Sequence, residues 1–340
     1  MKTALLYENY ESTVPGSPAV RCFLCAHQCI IPENKTGICR VRKNINGQLI
    51  SLNFEKVAAT HNDPIEKKPL YHFLPGSTSF SLATMGCNFS CKFCQNHSLS
   101  MIERETQIFG ERISPADLVQ NALSNGAGSI SYTYSEPTVF FELMIETAAL
   151  ARENQLKNIM VTNGYMSEQA LEAISPYLDA ANIDLKAFSE DFYKNYCGAK
   201  LTPVLETIKR MKEKGIWVEL TTLLIPGLND DPKELDKLIS FILSVDKNIP
   251  WHVSRFYPQY KLTNISPTNP HAIFNALEAA ENMGLRYLYA GNLSEERWSD
   301  TLCHSCKSRL IRRSGYFTRI VNLTDGKCGA CGTPIPGVWN

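Results

Sequence analysis

Twelve of the 340 residues are cysteines, and eleven of them fall into three clusters. The first is Cys22, Cys25, Cys29 and Cys39, the second Cys87, Cys91 and Cys94, and the third Cys303, Cys306, Cys328 and Cys331; Cys197 stands alone. A chain this long buries enough surface to fold without disulfide staples, so short C-x2-C and C-x3-C spacings point to metal. Three clusters therefore predict three metal sites. The middle one has the spacing C-x3-C-x2-C. Three thiolates on one loop can hold three irons of a 4Fe–4S cube and leave the fourth iron open for chemistry. A zinc knuckle borrowing His97 is the competing reading. Position favours the cube, because the loop directly follows a predicted strand, at the end where α/β folds bind their ligands.

The outer clusters read differently. Cys303-x2-Cys306 and Cys328-x2-Cys331 resemble the two knuckles of a zinc ribbon, with Gly329 and Gly332 giving tight backbone after each thiolate. Four thiolates close the coordination shell, so a structural role is expected. The N-terminal set is less regular and encloses His27. Zinc is the favoured occupant there as well, with an auxiliary Fe–S cluster as the open alternative.

The elements that must position these residues alternate in type. Short apolar runs at 80–84, 129–134, 158–162, 181–185, 217–225 and 252–256 read as buried parallel strands. Ser114-Pro115, Asp231-Pro232 and Asn269-Pro270 between them are N-cap residues followed by proline at the first helical position. Six such units predict an α/β fold, a partial (β/α)6 TIM-like barrel left open because eight units are lacking. The chain divides into a Cys-rich region at 1–77, the barrel at 78–292 and a zinc-ribbon-like tail at 293–340. Alternation in the sixth strand puts His252, Ser254 and Phe256 on one face and Val253 and Arg255 on the other. One face must enter the barrel, making His252 or Arg255 a cofactor-facing candidate. The stretch 63–73, rich in charged and bulky residues, is either a solvated linker or a roof over the site.

Lys plus Arg and Asp plus Glu both number 34, which removes the electrostatic case for nucleic-acid binding. Apolar runs are too short to span a bilayer, and no signal-peptide core follows the N-terminus. A cytoplasmic protein with no membrane or nucleic-acid partner is expected.

The C-x3-C-x2-C loop on a partial barrel resembles the radical S-adenosylmethionine (SAM) enzymes, and the likeness extends along the strand ends. Tyr132-Thr133-Tyr134-Ser135-Glu136-Pro137 stands where that family has Gly-Gly-Glu-Pro; the double glycine is absent, so only Glu136 and Pro137 carry over. Thr162-Asn163-Gly164, Ile183-Asp184-Leu185-Lys186 and Pro226-Gly227 match activating enzymes of the pyruvate formate-lyase type. The resemblance implies SAM chelated at the open iron, with Glu136 toward its amino group and Lys186 toward its carboxylate. Asp184 or Asn163 would meet the ribose, and the backbone at Phe93 the adenine. It also implies an electron donor such as flavodoxin or ferredoxin. The Cys-rich N-terminus, Asp-Pro-Ile-Glu-Lys-Lys-Pro-Leu at 63–70, Cys-Gln-Asn at 94–96 and the four-Cys tail further resemble the radical SAM protein of the AmmeMemoRadiSam system. That family is named with AMMECR-type and Memo-type partners. Three functions compete: a radical SAM enzyme acting on a small molecule or peptide, an activase raising a glycyl radical on a partner, and a non-catalytic zinc-binding scaffold. They are ranked in that order.

Overall fold

In the computed structural model, which describes residues 2–11, 18–103, 107–293 and 297–340, one open sheet organises the chain. Its strands are β1 (Lys56–Pro64), β2 (Thr78–Thr84), β3 (Ser129–Tyr132), β4 (Lys157–Thr162), β5 (Ala180–Asp184), β6 (Trp217–Leu224), β7 (Trp251–Arg255) and β8 (Leu288–Gly291). From β2 to β8 they lie in sequence order and pair in parallel, while β1 pairs antiparallel with β2. β8 ends the sheet on one side and the two-residue strand Glu111–Arg112 on the other, so the barrel does not close. The six expected strands are present. Sequence reading missed β8, a seventh parallel strand, and gave β1 to the Cys-rich region although it belongs to the barrel sheet.

Helices α1 (Pro115–Ser124), α2 (Phe141–Glu153), α3 (Glu168–Ile174), α4 (Thr202–Glu213), α5 (Pro232–Val245) and α6 (Pro270–Met283) connect the strands. The caps form as expected: Ser114, Asp231 and Asn269 side chains accept from the backbone N–H of Asp117, Glu234 and His271. The inner face of α5 buries Leu235, Leu238, Ile239 and Ile242, and that of α6 buries Ile273, Ala276, Leu277 and Ala280. Strand β3 is buried along its whole length, as a strand covered on both faces must be. No helix among the described residues is long and apolar enough to cross a membrane.

Two small antiparallel assemblies flank the barrel. At the N-terminus, Ala19–Cys22 pairs with Tyr7–Tyr10 and Ile30–Ile31, and Arg42–Ile45 pairs with Gln48–Ser51. The buried Arg42 guanidinium bonds Glu142 of α2, whose carboxylate also accepts from Leu5 N–H at 2.8 Å. At the C-terminus, Arg309–Ser314 and Phe317–Ile320 form a hairpin. Arg313 there is wholly buried; it donates to Tyr71 O at 2.7 Å and Thr301 Oγ1 at 2.7 Å and lies over the Tyr71 ring. It also faces Glu66 at 3.9 Å, and the backbones of His72 and Val338 join, so the tail is sealed onto residues 66–74. Arg313→Ala leaves the buried Glu66 without its cation and should cost about 3–5 kcal/mol, read as a lower urea midpoint; an unchanged midpoint would show that the clamp is idle.

Candidate active site

Gly86, with φ of +112°, turns the chain out of β2. A Cβ there would meet Val41 Cγ1 at 2.7 Å, so only glycine lets this loop lie directly on the N-terminal region. The loop is then fixed by backbone bonds from Ser90 N–H to Cys197 O at 2.8 Å and from Lys92 N–H to Tyr196 O at 2.9 Å. His27 Nε2 bonds Asn88 O at 2.8 Å, and Phe89 N–H donates to Cys87 Sγ at 3.3 Å. The solitary Cys197 thus has a place: its thiol donates to the Cys91 sulfur, which lowers the Cys91 thiol from its ordinary value. Cys87, Cys91 and Cys94 all line one cavity of about 660 Å3.

The end of β3 forms the next wall. Tyr134 takes a positive φ of 62°, so a tyrosine occupies backbone space that a glycine would fill without strain. Glu136, buried, accepts from Thr138 N–H at 3.0 Å, Thr138 Oγ1 at 2.6 Å and Thr162 Oγ1 at 2.7 Å through Oε1. Its Oε2 accepts from Asn163 N–H at 2.8 Å. Burial raises the Glu136 carboxyl above its usual value despite these donors. Asn163 in turn donates to Asn88 Oδ1 at 2.7 Å and approaches Cys87 Sγ at 3.8 Å. Glu136 therefore ties the ends of β3 and β4 to the cysteine loop.

At the end of β5, Lys186 Nζ pairs with Asp184 Oδ2 at 2.9 Å and lies 5.8 Å from the Phe93 ring centroid. Burial works against the Lys186 charge, but Asp184, then Cys91 and Cys197, hold the ammonium well above its ordinary range. Asp184, Lys186, Glu136, Asn163 and Phe93 all line the cysteine cavity.

His252 also enters that cavity, whereas Arg255 does not. His252 Nε2 bonds Glu219 Oε2 at 2.7 Å, and its ring meets Tyr71 edge-on and stacks on Tyr289. Arg255 turns outward, donating to Thr268 O at 2.8 Å and Tyr257 Oη at 3.1 Å.

Residues 63–73 are neither a solvated linker nor a roof. They join the end of β1 to the start of β2, so they lie at the end of the barrel opposite the cysteine loop. Glu66, Lys68, Leu70, His72 and Phe73 are buried, and Glu219 near the start of β6 accepts from Tyr71 and His72 N–H at 2.9 and 2.7 Å. This segment is the cavity floor. Within it, Asp63 accepts from Lys68 Nζ at 2.6 Å, Lys67 Nζ at 2.8 Å, Ser81 Oγ at 2.9 Å and the Tyr134 hydroxyl. Burial opposes the Asp63 charge, but these donors hold the carboxyl well below its usual range. Burial pushes the Lys68 ammonium down to about 8 despite Asp63. The Asp63–Lys68–Tyr134 cluster was invisible in the sequence, where its members are up to 71 residues apart.

The outer cysteines differ from each other. Cys303, Cys306, Cys328 and Cys331 bring all four sulfur atoms within 4.8 Å of one another, with Cys303–Cys331 and Cys306–Cys328 pairs at 3.7 Å. Cys22, Cys25, Cys29 and Cys39 line one small cavity, yet they do not form such a tight set among the described residues.

Residues 82–239 match the Radical SAM superfamily. An uncharacterized protein of Methanocaldococcus jannaschii is 41% identical over 338 residues, which is 98% of this chain and 99% of that protein. The pyruvate formate-lyase-activating enzyme of Streptococcus mutans is 22% identical over 220 residues, 58% of this chain and 82% of the enzyme. The crystal structure of a radical SAM methyltransferase from Sphaerobacter thermophilus shares the fold at 12% identity, with TM-score 0.52 over 84% of this chain and 76% of that one. The family match spans the loop of Cys87, Cys91 and Cys94 and the strand ends around it, which makes the chain a radical SAM enzyme. The chain belongs to the radical SAM superfamily and is similar to pyruvate formate-lyase-activating enzymes. Its cofactors are accordingly a 4Fe–4S cluster and SAM. The residues fit both: three cysteines of one loop face a single cavity, whose volume lies in the range of about 300–1,000 Å3 usual for small-molecule sites.

The charge of the cavity floor is pH-dependent. Lys68 carries its proton below about 8 and loses it above, whereas an unfolded chain keeps that proton to about 10.4. Unfolding free energy should therefore gain an upward slope between those values, since the unfolded state then binds more protons. In 13C NMR of lysine-labelled protein, the resonance that disappears in Lys68→Met should titrate near pH 8; a midpoint at the ordinary lysine value would refute the assignment.

Proposed function

We propose that Cys87, Cys91 and Cys94 hold the cube and that the cavity they share with Lys186 and Asp184 receives SAM. The observation that supports this reading is the common cavity itself: three thiols, a cation–carboxylate pair and the Glu136–Asn163 linkage converge on it from the ends of β2, β3, β4 and β5. With both bound, the site would supply a 5′-deoxyadenosyl radical by one-electron cleavage of the SAM sulfonium. The chain's own residues orient the reactants. Lys186 offers a charged donor to the SAM carboxylate, and Asp184 an acceptor to ribose hydroxyls. Glu136 lines the cavity and keeps acceptor capacity on Oε2 for an ammonium, while Asn163 is held near Cys87 by its bond to Asn88. Phe93, which also lines the cavity, would meet the adenine through its backbone.

The substrate is a polar small molecule or peptide that gives up hydrogen to the radical. Lys68, Tyr134 and His252 line the same cavity and supply polar contacts below the cluster. The likeness to activating enzymes supports a second reading, in which the hydrogen comes from a glycine of a partner protein. A flavodoxin- or ferredoxin-like carrier is the proposed electron donor. AMMECR-type and Memo-type proteins are the proposed partners, on the sequence resemblance to the AmmeMemoRadiSam system. Reduced thiols suit a cytoplasmic setting, and the tail cysteines are the proposed zinc site, since tetrahedral zinc with four thiolates requires that close sulfur spacing.

Replacing Cys87, Cys91 and Cys94 with alanine should abolish 5′-deoxyadenosine formation from SAM and dithionite while circular dichroism stays unchanged. Product from a folded triple variant would overturn the assignment. Lys186→Ala removes a charge-assisted hydrogen bond worth roughly 1.5–3 kcal/mol. SAM affinity should fall about ten- to a hundredfold with iron content unchanged, and equal affinity would return Lys186 to a purely structural pairing with Asp184.

A further inference from the structure

We propose that Cys22, Cys25, Cys29 and Cys39 hold a second 4Fe–4S cluster, packed against the loop that carries the first. All four side chains line one small cavity, walled by Leu24, Ile31 and Val139. Their spacing separates them from a zinc site. Zinc holds thiolates at about 2.3 Å in a tetrahedron, which forces sulfur pairs close together. The tail cysteines meet that demand with pairs at 3.7 Å. Cys22, Cys25, Cys29 and Cys39 line their cavity, and Cys87, Cys91 and Cys94 theirs, but among the described residues only the tail cysteines form a set with every sulfur within 4.8 Å of the others. A cube binds each thiolate to a different iron and requires a wider separation.

Donors point at the sulfurs and at the space between them. Arg42 Nη1 donates to Cys22 Sγ at 3.1 Å. The backbone N–H groups of His27, Ile38 and Val41 bond Cys25, Cys29 and Cys39. The bonds to Cys25 and Cys39 come from two residues ahead, the pattern also seen from Phe89 to Cys87. Two further donors are left over. Arg42 Nε and Asn88 Nδ2 are buried with no partner, and both residues line this cavity. An unpaired buried donor, one of them on a guanidinium, costs free energy. A cluster answers both, because its inorganic sulfides and net negative charge offer acceptors inside the ring of thiolates. A zinc ion offers none.

The two sites are adjacent. Asn88 follows Cys87 in the first site and walls the second, and Gly86 packs on Val41 and on Cys39 O. The proposal does not depend on how SAM is bound, and its test removes the SAM site. The full chain with Cys87, Cys91 and Cys94 changed to alanine is reconstituted anaerobically with iron and sulfide, and metals are counted. About four irons and one zinc per chain are expected, with a Mössbauer spectrum of a cube. In the otherwise unaltered chain, Cys25→Ser with Cys39→Ser should lower iron by about four per chain and leave zinc unchanged. About two zincs with no iron, about two irons, or Cys22, Cys25, Cys29 and Cys39 all free of metal in a folded triple variant would each overturn the proposal.

Discussion

Three sulfur atoms on an eight-residue loop have no tendency to stay apart and face the same way, so something outside the loop must hold them. Here that constraint is met by the backbone of residues 196 and 197, which accepts from Lys92 and Ser90. The Cys197 thiol completes the grip on Cys91. On the other side Gly86 has no side chain, and the loop beds down on Val41. Everything else at the strand ends is arranged around this fixed loop. Glu136 links β3 and β4 to it through Asn163 and Asn88, and Lys186 reaches it from β5. A close-packed interior transmits such fixation, since no wall can shift without displacing its neighbours.

The interior of the barrel is unusual for a parallel sheet in how many ionisable groups it buries. Asp63, Glu66, Lys68, Glu219, His252 and Arg313 are all nearly inaccessible. Burying one such charge alone is prohibitive, but each is paired: Lys68 on Asp63, His252 on Glu219, Arg313 facing Glu66. These pairs tie the floor to β6, to β7 and to the C-terminal hairpin. An apolar floor of the same shape would hold the fold equally well, so the polar one is better explained by the cavity above it than by stability. The C-terminal hairpin carries Arg313 into place below the cavity.

The chemistry was easier to read in the sequence than its surroundings. Cysteine spacing within a short loop is a local signal, and the strand-end motifs pointed to Asp184 and Lys186, which line the same cavity as Cys87, Cys91 and Cys94. Helix starts were legible because Ser114, Asp231 and Asn269 act on their own first turns. What failed were inferences about non-local packing. β8 is only four residues long and lies close before a stretch that looks like tail. Alternation gave two faces for β7, but which one looked inward was decided by Glu219 on β6, a partner no local pattern reveals. Residues 63–73 read as a solvated linker or a roof because they are charged and bulky. Their partners, Ser81, Tyr134, Glu219 and Arg313, are distributed over the rest of the chain.

The same distinction explains why the N-terminal and C-terminal cysteines are unlike although both contain C-x2-C. In the tail, Cys303 and Cys306 lie in the turn between Thr301–Leu302 and Arg309–Ser314, Cys328 ends a short hairpin with Leu323–Thr324, and the four sulfurs with Cys331 come within 4.8 Å of one another. In the N-terminal region, Cys22 ends one strand, Cys25 and Cys29 lie in the turn that follows, and Cys39 comes from a separate turn before Arg42–Ile45. Cys22 N–H bonds Cys29 O, which sets the width of that turn, and Arg42 holds Cys22 from the far side while anchored on Glu142. The scaffold therefore fixes Cys22 and the turn that carries Cys25 and Cys29 before any metal arrives. Sequence spacing says that thiols can meet at a metal, but the hydrogen-bonded frame decides how large the group between them must be.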